Sequence, residues 1–256
     1  VFTASDVRHY GPLPEVGTWL GNVIQPGWKV LEIGPGIRPF PRADVYVDLI
    51  DIKGVDPDKL VKVDVANEPL PFADKAFDFV VCRHTLEDLF NPFLLCAEMS
   101  RVARAGYVET PSPLAELTKG VDGGGPEYRG FHHHRYVVWR SEKELAFVAK
   151  YPLVELMKMT DDGDRLEKLL RKGPLFWNTY YPWEDRIIVK HHQCPQDFEF
   201  CNTAKVPHYF ALLNRAIIES IGANRELLAP QDGNKELRPR QQAHEDQTLQ
   251  ARRVHV

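Results

Sequence analysis

The apolar run Val30-Leu31-Glu32-Ile33 leads into Gly34-Pro35-Gly36, two glycines that leave backbone N–H groups unshielded, so that a ligand can lie directly against the chain. Glu32 can accept hydrogen bonds from a ligand's ammonium or hydroxyl groups. The next β-branched run, Val45-Tyr46-Val47, ends in Asp48, and an acid there suits a ribose diol; Asp51 is the alternative, and Asp48 is preferred because it directly follows the alternation. A dinucleotide fold would place a third glycine at position 39 to pack a helix over a diphosphate, but position 39 is Pro. The imidazoles are the other reactive groups. His84 follows a long apolar run, and His132-His133-His134 precede Arg135 and Tyr136. Histidine suits proton transfer near neutrality. If this segment is extended, His132 and His134 point to one face and His133 to the other. A metal is the competing use of these side chains, with His191, His192, Cys194 and Cys201 as further candidates. None has zinc-finger spacing, and no metal site is expected.

Elements must hold these groups in place. Val16, Leu20, Val23 and Ile24 form a helical stripe closed by Pro26-Gly27. Strands are expected at 30–33, 45–50 and 60–65, and at 76–82, where AFDFVVC has the little-alternating apolar character of a parallel strand buried on both faces. A helix is expected over 93–104, stopped by Gly106, followed by a strand at 107–110. This alternation implies a parallel sheet whose ligands sit at the carboxyl ends of its strands. Further on, 120–130 is a glycine-rich loop and 131–140 is extended. Ser141 with Glu144 is a capping box that opens a helix to about Lys150. Late strands are expected at 186–192 and 198–201, paired as a hairpin, and Phe210, Leu213, Ile217 and Ile221 mark a helical face. Beyond Pro230 no aromatic residue remains, which predicts a flexible tail.

Of the 256 residues, 43% are apolar and 27% charged, the balance of a folded globular chain with a sizeable core. The formal net charge of −4 provides no positive field to recruit nucleic acid or an anionic membrane, and neither is expected as a partner. No apolar run approaches the ~18 residues of a membrane span. Asp6, Arg8 and His9 stand where a secretory signal would place its apolar stretch, and Cys82 and Cys96 sit inside apolar segments as reduced thiols. A cytoplasmic location is expected.

Glu32-Ile33-Gly34-Pro35-Gly36, the acid at Asp48, Asp64-Val65 and the run from Leu70 to Val81 together resemble the class I S-adenosylmethionine-dependent methyltransferases of the type 11 kind. His84-Thr85-Leu86-Glu87-Asp88-Leu89 and Glu98-Met99-Ser100-Arg101-Val102 extend the similarity, which spans residues 28–112. The resemblance implies a Rossmann-like α/β fold, a mostly parallel sheet flanked by helices with a C-terminal cap or insertion, and S-adenosylmethionine as cofactor. It further implies that Gly34, Pro35 and Gly36 wrap the methionyl part beside Glu32, that Asp48 with Leu49 grips the ribose, that Asp64 and Val65 hold adenine, and that Arg83 and His84 face the sulfonium. The third glycine usual in the family falls at position 38, which is Arg here.

The expected organisation is a helical lead-in (1–27), a cofactor-binding core (28–112), a substrate cap with late strands (113–230) and a tail (231–256). Methyl transfer to a hydroxyl or protonated amine needs a base, and His84, His132, His133 and His134 are the candidates, with Arg135 and Tyr136 binding an anionic acceptor. After the fourth strand the chain reads Cys82-Arg83-His84-Thr85, without the Asn/Asp-Pro-Pro-aromatic run of methylases that act on base or glutamine amino groups. Trp139, Trp177, Tyr180, Tyr181 and Trp183 suit an aromatic-lined cap over a small organic molecule. The expected activity is methylation of a small molecule, on oxygen in preference to nitrogen. The competing readings are a non-catalytic module that binds the cofactor or its demethylated product, and a nicotinamide-dependent oxidoreductase. Oligomeric state is not legible.

Overall fold

The computed structural model describes residues 14–122, 128–156, 164–192 and 206–228. Cys194, Cys201, the strand expected at 198–201, the chain before Pro14 and the tail beyond Pro230 lie outside the described residues, as does part of the glycine-rich loop.

Helix α1 (Pro14–Val23) lays Val16 and Leu20 inward. Strands β1 (Val30–Ile33), β2 (Val45–Asp48), β3 (Leu60–Lys62), β4 (Phe77–Arg83) and β5 (Ala103–Pro111) form a parallel sheet that β8 (Asn178–Glu184) joins antiparallel, in the order β3-β2-β1-β4-β5-β8. The chain runs outward in both directions from β1 and β4, so the crevice at their carboxyl ends is the switch point where such sheets bind ligands.

Among the described residues no α-helix stands between the first strands. Residues 34–44, 49–59 and 63–76 connect β1 to β4 with turns and one 3-10 turn at Pro57–Lys59. Pro35, Pro39 and Pro41 deny the first connection a helical hydrogen-bond ladder, and Gly54 with Pro57 interrupts the second. One face of the sheet is therefore covered by α1 and aromatic side chains: Trp19, Trp28, Phe40, Tyr46, Phe79 and Tyr107 pack together there. Helix α2 (Pro92–Val102) covers the other face beside a second sheet.

That second sheet corrects the helix expected after Ser141. Strands β6 (Tyr136–Ser141) and β7 (Glu144–Ala149) form an antiparallel hairpin turned at Glu142-Lys143, with Glu142 at φ 55. Val138, Leu145 and Phe147 pack toward the main sheet. Val137, Trp139, Ala146 and Val148 pack against α3 (Pro113–Leu117), α4 (Asp164–Leu170) and α5 (Val206–Leu228). Burial on both faces removes the polar alternation that marks a strand. β9 (Val189–His192) pairs with β7 in parallel, and the partner strand expected for it lies outside the described residues.

Gly106 does not end a helix. It lies within β5, where an added Cβ would stand 2.6 Å from the Val80 carbonyl oxygen and 2.7 Å from the Trp183 ring. The aromatic cap is also corrected. Trp177 precedes β8, which contains Tyr180, Tyr181 and Trp183, and all four are buried in the core with Trp139. Among the described residues no helix is long and apolar enough to cross a membrane.

Candidate functional site

β1 and β4 bring the glycine loop and Arg83-His84-Thr85 face to face. Gly34, at φ 64, lies so close to Thr85 that a Cβ would strike its hydroxyl, whereas Gly36, at φ 53, opens on free space. Glu32 is fully buried, and its carboxylate accepts hydrogen bonds from the Phe40 amide at 2.5 Å and from Arg83 Nη2 at 2.6 Å. Burial pushes the Glu32 carboxyl up against the opposing pull of Arg83 and Phe40. In this arrangement Glu32, expected beside the methionyl part, anchors the loop and orients Arg83. Arg83 also donates to the Arg38 carbonyl, and its Nε is buried without a hydrogen-bond partner.

Asp48 ends β2, and its Oδ1 accepts from the Leu49 and Ile50 amides at 2.7 and 3.3 Å. Asp51 instead pairs with Lys62 at 2.8 Å. Ile37, Leu49 and Ile50 are exposed, an apolar surface at the tips of β1 and β2. Asp64 caps its own turn through the Ala66 amide and the Asn67 side chain, and Val65 is half-buried. These features fit the nucleoside that the sequence predicts. The open backbone at Gly36 leaves room for it, the exposed aliphatic residues offer a face to a base, and the Arg83 Nε–H suits a carboxylate. A diphosphate fits less well, because the glycine loop is followed by no helix N-terminus. The cavity lined by Gly17, Leu20, Ile24, Phe40 and Pro41 shares no residue with these strand ends.

The histidines divide. His84, at φ 48, places Nε2 3.3 Å from Glu109 and Nδ1 3.6 Å from Glu87. Glu109, buried on β5, also accepts from Tyr107 and Asn178. Burial opposes a charge on His84, but the two carboxylates outweigh it and raise its pKa to about 10. The two carboxylates favour the charged form of His84, which would have to lose that proton before it could serve as the expected base. Its folded pKa lies above the free value of 6.5, so the stabilisation by its charge is present in full below that pH and is lost as pH rises through about 10. The urea midpoint of the wild-type protein is expected to fall between pH 7 and pH 10 more steeply than that of His84→Asn; parallel slopes would contradict the assignment.

His132 to His134 lie in a turn before β6, not on a strand, so the predicted sharing of faces does not occur. His132 turns to Asp122 at 3.1 Å. His133 and His134 come together with ring centres 4.4 Å apart, beside Asp88. His134 is buried, and its Nδ1 meets Glu116 Oε1 at 2.5 Å, while Lys150 holds the other oxygen of Glu116 at 2.6 Å. Burial opposes protonation of His134, and Glu116 raises its pKa nonetheless. Arg135, expected to bind an anionic acceptor, donates through Nη1 to the Asp88 and His133 carbonyls and stacks on Phe90 at 3.7 Å. Tyr136 reaches the Phe90 carbonyl. Glu87, Asp88, Glu109, Glu116 and Lys150 are site residues that the sequence reading does not assign. The acids in Leu86-Glu87-Asp88 and the lone acid in the β5 run were the available signals.

The chain is similar to known methyltransferases. A methyltransferase domain model matches residues 46–108. The ubiquinone/menaquinone biosynthesis C-methyltransferase of Burkholderia multivorans is 23% identical over 66% of this chain and 75% of its own. Among solved structures, an S-adenosylmethionine-dependent methyltransferase from Mesorhizobium loti is 15% identical over 66% of this chain and 73% of its own, with a TM-score of 0.34. The YcgJ protein of Bacillus subtilis is 16% identical over 38% of this chain and 50% of its own, with a TM-score of 0.31. This chain spans about half the length of that structure. Over residues 46–108 the chain is thus similar to the methyltransferase domain of the class I S-adenosylmethionine-dependent enzymes, whose methyl donor is S-adenosylmethionine.

Proposed function

We propose that this protein methylates a hydroxyl group of a small organic molecule. The observation that carries the reading is the cluster of Glu87, Asp88, His133 and His134, joined by the short segment 84–88 to the carboxyl end of β4, where the sulfonium is expected. Its carboxylates and imidazoles can grip a polar acceptor and receive the proton that a hydroxyl releases. The aromatic side chains that would favour a flat apolar acceptor are spent on the core. The net charge of −4 supports a small acceptor over a nucleic acid.

Bound S-adenosylmethionine supplies an electrophilic methyl group on sulfur. Asp48 would accept the ribose hydroxyls, Ile37, Leu49 and Ile50 would flank adenine, and Arg83 would pair with the methionyl carboxylate. Glu32 would hold Arg83 in place, and His84 would keep Glu87 and Glu109 apart as a cation. Alignment of acceptor and donor is the main contribution expected of the protein.

Calorimetric titration with S-adenosylhomocysteine should show one site, weakened about tenfold or more in Asp48→Ala, with no heat from NADH. Methyl-labelled cofactor should then transfer label to members of a phenol and hydroxy-acid panel. Binding without transfer to any oxygen, nitrogen or carbon acceptor would instead favour the non-catalytic module. The Burkholderia relative is named a C-methyltransferase, so product analysis must identify the methylated atom.

A further inference from the structure

We propose that Asp88, His133 and His134 bind a divalent transition-metal ion of the zinc type. One ligand atom from each residue lies within 4.8 Å of the others, and Asp88 Oδ1 stands 3.7 Å from His133 Nε2 and 3.8 Å from His134 Nε2. Metal bonds of ~2.0–2.2 Å place neighbouring tetrahedral ligands roughly 3.4 Å apart, so the two Asp88–histidine distances need close by only a few tenths of an ångström, while the two imidazole nitrogens, within 4.8 Å of each other, would draw together on binding. Two imidazoles and one carboxylate suit zinc and its neighbours rather than magnesium or calcium, which prefer all-oxygen ligands.

Three further observations mark a built site. Asp88 Oδ1 is buried and has no hydrogen-bond partner. Behind His134, Glu116 Oε1 takes Nδ1 at 2.5 Å and Lys150 fixes Glu116, which turns Nε2 toward Asp88. A carboxylate behind a ligating histidine sets its tautomer and orientation in metal sites. Finally, one Arg135 nitrogen bonds the carbonyls of Asp88 and His133 at 2.7 and 3.0 Å, clamping the backbones that carry two of the ligands. Glu87 adds a buried carboxylate, with His84 Nδ1 at 3.6 Å on its other side.

Three protein ligands leave a coordination position open. If the methyl-transfer reading holds, that position would take the acceptor's oxygen and make its proton easier to lose; binding of the ion itself does not depend on that reading.

The test uses the full chain, stripped with a chelator and titrated with Co²⁺ by visible absorption, then displaced by Zn²⁺. One equivalent is expected in the wild type, at least a hundredfold weaker in Asp88→Asn and His133→Ala, and tenfold or more weaker in Glu116→Gln. His133 is exposed, and His133→Ala should keep wild-type affinity for S-adenosylhomocysteine, which shows that the fold is intact. Absence of a cobalt spectrum in the wild type, or a spectrum unchanged in both Asp88→Asn and His133→Ala, would overturn the proposal. Either result is independent of whether methyl transfer is detected.

Discussion

Arg83→Ala should destabilise the protein by about 3–5 kcal/mol, the range for a buried ion pair that loses one partner. Glu32 has no exposed surface, and its nearest cation is the guanidinium at 2.6 Å. With Arg83 gone, burial would drive the carboxyl to its neutral form, and a neutral acid binds the Phe40 amide less strongly. The loop between β1 and β2 would then lose the contact that fixes its path. Chemical denaturation should show the loss, and calorimetry should show weakened S-adenosylhomocysteine binding. Arg83→Leu combined with Glu32→Gln should recover most of the stability but not the affinity, because the guanidinium is also the proposed partner of the methionyl carboxylate. Recovery of both would remove Arg83 from the cofactor site.

Gly106→Ala is the second large effect, at about 3 kcal/mol. Its new methyl group would meet the Val80 carbonyl oxygen at 2.6 Å, a backbone atom of the neighbouring strand. Flexible side chains can yield to such an intrusion, but a carbonyl within a parallel ladder cannot move without breaking register. Trp183 closes the remaining side at 2.7 Å. The thermal midpoint should fall by several degrees, and the double variant Gly106→Ala/Trp183→Phe should recover only a fraction of that loss. Full recovery would show that the ring, and not the strand, limits the space.

The parallel core was legible because its signals are local. An apolar run ending in glycines gave β1, alternation gave β2, and helical periodicity gave the inward face of α5. Ser141 with Glu144 misled because the same pair that could cap a helix also closes a two-residue turn. Leu145 to Val148 are buried on both sides, so period-2 polarity was missing there. Trp177 to Trp183 read as a surface lining because their β-sheet partner, β5, lies far away in sequence. The acid and histidine cluster was illegible for a related reason: the loop after β4, the turn before β6, α3 and Lys150 just past the end of β7 each contribute one or two members, and only the folded topology brings them together.

The three prolines between β1 and β2 carry a thermodynamic consequence for ligand capture. A chain whose torsions are already restricted before a guest arrives surrenders little disorder on association. The segment that would wrap the methionyl tail is thus stiffened by ring closure instead of by a packed helix. Its share of the affinity should come from a small entropic penalty rather than from many contacts, and such a site can release a spent product without first melting a secondary-structure element.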